Sequence, residues 1–304
     1  MTRRRVGAGV AALLALASLW YSGGPGQRPP PPHHAVALAL DSLAVRALMT
    51  GTGDTTLLLL HGYGESLLTW RAVVDPLARH YRVVALDLPG FGASDKPVGP
   101  YSLARMTAWM TQVVDRAIPR GPVIVIGHSM GGEIAAALAI QRPDRIVAAI
   151  LIAPAGFALG LGGLIDSMSD RKARTLGWYQ AARAFILPIH DPDWMREPPS
   201  MARYDATLDP EYRASTASVL RDFDFLALRT AEPIAQPTLL VWGDLDPVIP
   251  IATSEAMRSW ARCATLITLP GALHRPQVER PDQFLDAVMP FLRAGTCDKR
   301  DVPS

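Results

Sequence analysis

From residue 35 onward the chain alternates short, almost wholly apolar runs with longer segments in which apolar residues recur every three or four positions. The runs are TTLLLLHG (55–62), YRVVALDLPG (81–90), GPVIVIGH (121–128), RIVAAILIAPAG (145–156), QPTLLVWGD (236–244) and ATLITLPGALH (264–274). Each ends at glycine, proline or a polar turn residue, which predicts strands buried on both faces. Segments 66–80, 102–118, 130–141, 253–262 and 281–293 have the length and apolar spacing of helices. Alternation of this kind predicts an α/β fold, a mostly parallel central sheet with helices on both faces. Residues 34–49, with valines and leucines around Asp41, predict one or two antiparallel edge strands.

One interval breaks the alternation. Residues 157–235 separate two predicted strands that a single helix would normally join, and their composition shifts to Trp, Tyr, Arg, Met and Pro. This predicts a helical insertion at the carboxyl edge of the sheet. The resulting organisation is an N-terminal segment (1–22), a proline-rich linker (23–34), a domain (35–296) carrying the insertion, and a short tail (297–304). No internal repeat of fixed period is visible.

The N-terminal segment changes the picture of where the chain works. Arg3 to Arg5 precede an apolar run over residues 6–21, and Gly and Pro follow, which is the layout of a secretory signal. The run is short of the ~20 residues that span a bilayer comfortably. Ala15-Leu16-Ala17 offers small residues for cleavage. An export signal is the first reading, to the periplasm or the medium, and an uncleaved membrane anchor through residues 6–21 is the second. Thr2-Arg3-Arg4 matches a twin-arginine signal only loosely, and no cysteine follows the run as a lipid anchor would require. PGQRPPPPHH (25–34) is stiff and extended, and its His33 and His34 read as solvated linker rather than metal ligands. The formal net charge of +2 shows no clustered basic face, so nucleic acid is not an implied partner. Oligomeric state leaves no signature.

Candidate chemistry centres on Gly127-His128-Ser129-Met130-Gly131. A glycine-flanked serine between a predicted strand and a predicted helix is the setting in which Gly-x-Ser-x-Gly makes a strained turn with an exposed hydroxyl. The alternative is a serine in an ordinary tight turn. A nucleophilic serine needs a base, and the base needs an orienting carboxylate. Of the seven histidines, His33 and His34 lie in the linker, His80 ends a helix and His190 falls in the insertion. Function at carboxyl ends of strands favours His61, His128 and His274. His128 is too close in chain to turn onto Ser129, and His61 belongs to a glycine-rich loop, so His274 is the preferred base. VWGDLDPVIP offers Asp244 and Asp246, of which Asp246, in the turn stiffened by Pro247 and Pro250, is preferred. Asp87 ends another strand and is expected to tie down its own loop.

These motifs together resemble the α/β-hydrolase superfamily over residues 35–294. HGYGES is similar to the family's oxyanion loop, DLPGFGAS to its next strand-end loop, GHSMGG to its nucleophile elbow, GDLDPVIP to its acid turn and GALHRPQVERPDQF to its histidine loop and final helix. The resemblance implies Ser129 as nucleophile, Asp246 as acid and His274 as base. It further implies an oxyanion hole from the backbone amides of Tyr63 and Met130, and an insertion that caps the pocket. It implies no metal and no organic cofactor. Family topology also brings Cys263 and Cys297, the two cysteines, toward one edge. The disulfide expected there would close a loop of about 34 residues and stabilise by roughly 3–4 kcal/mol if loop entropy governs.

The expected activity is hydrolysis of a small-molecule carboxylic ester with a small or medium, largely apolar acyl group. Alternatives are a carbon–carbon bond hydrolase or acyltransferase with the same triad, and a non-catalytic ligand-binding member of the fold. Arg275 and Pro276 stand where ring-fission hydrolases typically carry tryptophan soon after the histidine. Glu65 is read as helix-start charge beside Ser66, Glu133 as an acid favoured by a helix dipole, and Arg221 with Asp222 as a surface ion pair. The aromatics Trp178, Tyr179, Phe185, Trp194, Tyr204, Tyr212, Phe223 and Phe225 are divided between the insertion's own core and a pocket.

Overall fold

The computed structural model describes residues 35–118, 121–157 and 210–294. The N-terminal segment and linker, residues 158–209 of the insertion, His33, His34, His190 and Cys297 lie outside the described residues.

Two antiparallel strands open the domain, β1 (Ala35–Ala39) and β2 (Ala44–Thr50), followed by β3 (Thr56–Leu60). A 3-10 turn at Leu67–Trp70 leads into α1 (Arg71–Ala78), then β4 (Arg82–Leu86), α2 (Leu103–Arg116), β5 (Val123–His128), α3 (Met130–Gln141) and β6 (Ile146–Ile152). After the insertion, whose described part holds α4 (Pro210–Asp222), come β7 (Thr238–Gly243), α5 (Ala252–Trp260), β8 (Ala264–Leu269), α6 (Pro276–Glu279) and α7 (Pro281–Ala294). The strands form one sheet in the order β1-β2-β4-β3-β5-β6-β7-β8. β1 with β2 and β2 with β4 pair antiparallel, and the remaining neighbours pair parallel. This is the α/β fold that the alternation predicts. The helix expected over 66–80 is divided into a 3-10 turn capped by Ser66 and α1.

Both faces of the sheet are covered, and the strands read as continuous apolar runs for that reason. Leu58 and Leu60 of β3 and Val123 and Val125 of β5 pack with Met106, Met110, Ile134 and Leu138 of α2 and α3. Their alternates Leu57, Leu59, Ile124 and Ile126 point the other way, onto Trp70, Val73 and Leu77 and onto Phe284 and Val288 of α7. The period of two along each strand thus feeds two separate cores. Each fully buried leucine or valine contributes about 1.5–3 kcal/mol relative to leaving it in water.

α3 lies against β5, β6 and the neighbouring α2. Hence almost every residue from Met130 to Ala139 is buried, and the helix is apolar all round rather than on one stripe. Its N-terminus, held at the carboxyl end of β5, is where the site begins. Cys263, just before β8, is disulfide-bonded. Among the described residues no helix is long and apolar enough to cross a membrane.

Candidate active site

Ser129 sits at the turn between β5 and α3 with φ 53° and ψ −119°, a backbone region that a residue with a side chain enters only at a cost. Four backbone hydrogen bonds hold it there. Its amide donates to Ile152 O at 2.9 Å, and its carbonyl accepts from Gly132 N at 2.9 Å, from Ala155 N at 3.0 Å and from Glu133 N at 3.2 Å. The flanking glycines are needed because the backbones touch. A Cβ at Gly127 would lie 2.2 Å from Gly131 O, and one at Gly131 would lie 2.4 Å from both Leu60 O and His61 O. His128 and Met130 are buried, whereas Ser129 keeps partial exposure.

His274, on the loop after β8, places Nε2 3.1 Å from Ser129 Oγ. Its Nδ1 lies 2.8 Å from Asp246 Oδ2. A carboxylate accepts, so Nδ1 carries the proton and Nε2 presents a lone pair to the serine hydroxyl. Asp246 is held in turn, its Oδ1 accepting the amides of Val248 at 2.8 Å and Ile249 at 2.9 Å. Trp242, at the end of β7, donates its indole N–H to Ile249 O at 2.9 Å, which ties this acid turn to the sheet. Asp244 points elsewhere and accepts Gly271 N at 2.8 Å. The two aspartates are therefore separated by geometry: one faces the histidine and the other braces the loop. Burial pushes the His274 pKa below the ordinary imidazole value, against the opposing pull of Asp246.

The amides of Tyr63 and Met130 have no acceptor among the described residues. Met130 opens α3, so its amide belongs to the positive end of the helix. The loop after β3 is fixed by His61, which accepts Leu88 N at 2.9 Å through Nε2 and so donates Nδ1–H to Gly62 O at 2.8 Å. Burial keeps His61 neutral by lowering its pKa. Asp87 ties the neighbouring loops, accepting Leu67 N at 2.7 Å and Ala93 N at 2.8 Å and facing Arg46 at 3.6 Å.

The described part of the insertion meets this loop directly. Tyr63 donates its hydroxyl to Thr216 O of α4 at 3.3 Å, and its ring stands edge-on to Phe91, which stands edge-on to Tyr212. Tyr212 and Phe223 are buried and Phe225 is partly buried. The other expected aromatics, Trp178 to Tyr204, lie outside the described residues. Arg221 and Asp222 form the expected ion pair at 2.8 Å, and Asp222 also accepts Tyr101 N at 3.3 Å. The pair thus anchors α4 to the segment before α2.

Three residues have roles that local reading did not supply. Glu65 leaves the helix-start charge unfilled. It turns inward, its Oε2 accepting Gly62 N at 3.1 Å and facing His128 Nδ1 at 3.1 Å. His128 donates Nε2–H to His274 O at 2.8 Å. Glu133 is fully buried, with neither carboxyl oxygen hydrogen-bonded. Burial raises its pKa well above the ordinary carboxylate value, and Asp224 raises it further, against the anion that a helix dipole would favour. No signal within a few residues of any of the three foretells these contacts. Among the described residues no group of His, Cys, Asp or Glu is placed to hold a metal ion.

The model of one family, described as the alpha/beta hydrolase fold, matches residues 55–281. The chain belongs to this family. One relative of this α/β hydrolase is the dihydrolipoyllysine-residue acetyltransferase component of the acetoin cleaving system of Cupriavidus necator, 33% identical over 81% of the chain. The match spans 65% of that relative's length. A pimeloyl-[acyl-carrier protein] methyl ester esterase of Yersinia pseudotuberculosis is 28% identical, covering 79% of the chain and 94% of the relative. Among solved structures, a membrane phospholipase A described as a bacterial virulence factor superposes with TM-score 0.73 at 26% identity, covering 97% of this chain and 99% of that one.

Proposed function

We propose that this α/β hydrolase cleaves carboxylic esters through an acyl-enzyme on Ser129. One observation carries the reading: the unbroken contact series from Asp246 through His274 to Ser129, at 2.8 Å and 3.1 Å, ending on a serine of strained backbone. His274 Nε2 takes the hydroxyl proton as Ser129 Oγ attacks the ester carbonyl, and Asp246 stabilises the imidazolium that forms. The amides of Tyr63 and Met130 receive the negative charge on the carbonyl oxygen. Each such donor supplies about 3–4 kcal/mol, because it strengthens as charge develops. Collapse expels the alcohol, which takes the proton from His274. Water, deprotonated by the same imidazole, then releases the acid and restores Ser129.

Support for an ester rather than another acyl compound comes from the two relatives that are themselves ester hydrolases by name. The basic and apolar start of the chain supports export or membrane anchoring, so the substrate is met outside the cytoplasm.

The test is reaction of the folded protein with a fluorophosphonate, followed by turnover of nitrophenyl esters of rising acyl length. Labelling confined to Ser129, lost in Ser129→Ala, with measurable ester turnover, is expected. A folded protein that neither labels nor turns over any ester would sink the proposal.

A further inference from the structure

We infer that Glu65 and His128 form a buried positioning pair that locks the loop of the catalytic histidine to the oxyanion loop. The inference rests on the ester-hydrolase reading for its kinetic consequence, though not for its geometry.

The pair joins three segments distant in sequence. Glu65 Oε2 accepts Gly62 N at 3.1 Å, in the loop after β3. The same oxygen faces His128 Nδ1 at 3.1 Å, at the end of β5. His128 Nε2 then reaches His274 O at 2.8 Å, on the loop after β8. In the sheet β8 is separated from β5 by β6 and β7, so the link crosses over the carboxyl ends of those strands. Side-chain exposure of His128 and Glu65 is 1% and 5%, which makes the contacts directional and little screened. Gly62 closes against the ring so tightly that a Cβ there would lie 2.8 Å from His128 Nδ1. Both ring nitrogens face oxygens, so the ring is held at both ends.

Two consequences follow for the reaction. Holding the carbonyl of His274 fixes the backbone from which its ring reaches Ser129, and a misplacement of about 1 Å at such a group costs on the order of 100-fold in rate. The second is electrostatic. The rings of His128 and His274 lie 4.8 Å apart, so a charged His128 disfavours protonation of His274, while Asp246 and Glu65 favour it. His61 is the neighbouring ionisable group on the side of the loop after β3, with Asp87 beyond it. Beyond His274, Glu279 accepts the amides of Leu273 and Arg275.

The experiment compares full-length wild type, His128→Ala, His128→Gln and Glu65→Gln. The readouts are ester turnover as kcat and KM separately, the pH dependence of fluorophosphonate labelling, and histidine ring titration by NMR. His128→Ala should lower kcat about 10- to 100-fold with KM changed less than about threefold. In His128→Gln the amide can still donate to His274 O. Its kcat should recover to within about fivefold of wild type, with the His274 titration and the acid limb moved upward. Glu65→Gln removes the negative charge while its amide oxygen can still accept Gly62 N, so kcat should fall less than in His128→Ala. Unchanged kcat in folded His128→Ala, or a His274 titration that does not move in His128→Gln, overturns the pair. The NMR titration needs no turnover. A wild type that hydrolyses no ester therefore refutes the hydrolase reading alone, and the titration still decides whether the pair exists.

Discussion

Asp246 Oδ2 and His274 Nδ1 stand 2.8 Å apart, and that contact leaves the opposite ring nitrogen aimed at Ser129 Oγ, 3.1 Å away. Replacing Asp246 with Asn keeps the shape but presents an amide N–H where an acceptor is needed, so the imidazole turns over to the wrong tautomer. Asp246→Asn should lower kcat by about 10³- to 10⁴-fold with little change in KM. Asp244→Ala, which loses only the brace on Gly271 N, should stay within about tenfold of wild type. Ester kinetics on the two variants side by side separate the roles, and equal losses in both would contradict the assignment of the acid.

The base should stay active in mild acid. Burial lowers the His274 pKa from its ordinary value of 6.5, so at neutral pH the ring is unprotonated and competent. Activity should hold down through pH 6.5 and fall only below it, as the imidazole takes a proton and can no longer accept one from Ser129. A pH profile of kcat/KM on a non-ionising ester measures this. An acid limb centred above 6.5 would count against the burial argument.

Glu133 sets a second pH dependence, on stability rather than rate. Its folded pKa is raised well above 4.5, so folding takes up a proton whenever the unfolded chain has lost it. The sign follows: the acid's contribution is complete below the unfolded pKa and is lost as pH rises toward the folded one. The loss approaches about 1.4 kcal/mol per pH unit in that window. Glu133→Gln, neutral at every pH, should match wild type near pH 4 and exceed it at pH 7 to 8. Thermal unfolding of both proteins across that range is the measurement, and parallel curves would refute it.

Asp87 carries structure, not catalysis. It is fully buried, and its oxygens hold the amides of Leu67 and Ala93 opposite Arg46. Asp87→Ala leaves two amides and a guanidinium without their acceptor, at a cost of about 3–5 kcal/mol. Denaturant unfolding should register that loss, while the protein that remains folded should still be labelled at Ser129 by a fluorophosphonate.

Much of this is legible in the sequence. The alternation of leucines and valines in β3, β5 and β7 reflects a physical requirement, two buried faces, that leaves its mark residue by residue. Glycines around Ser129 mark a turn whose backbones touch, and that too is local. Helix limits were less visible: the segment after Ser66 divides into a 3-10 turn and α1 because Trp70 and Leu67 turn into the core, a packing decision rather than a propensity. Glu65 was misread for a similar reason. By sequence it sits where a helix start welcomes negative charge, yet the nearby Gly62 amide and the distant His128 ring claim it.

Hydrophobic period, turn glycines and strand-to-helix transitions act over a handful of neighbouring residues, so the order of elements and the tight turn at Ser129 are legible along the chain. Where Glu65 and His128 spend their hydrogen bonds, and the full burial of Glu133, come from the fold alone. Those outcomes depend on loops from β3, β5, β7 and β8 meeting at one edge of the sheet. A hydrogen bond between residues 145 positions apart, such as that of Ser129 with His274, depends on strand order and loop path. No window along the chain contains either.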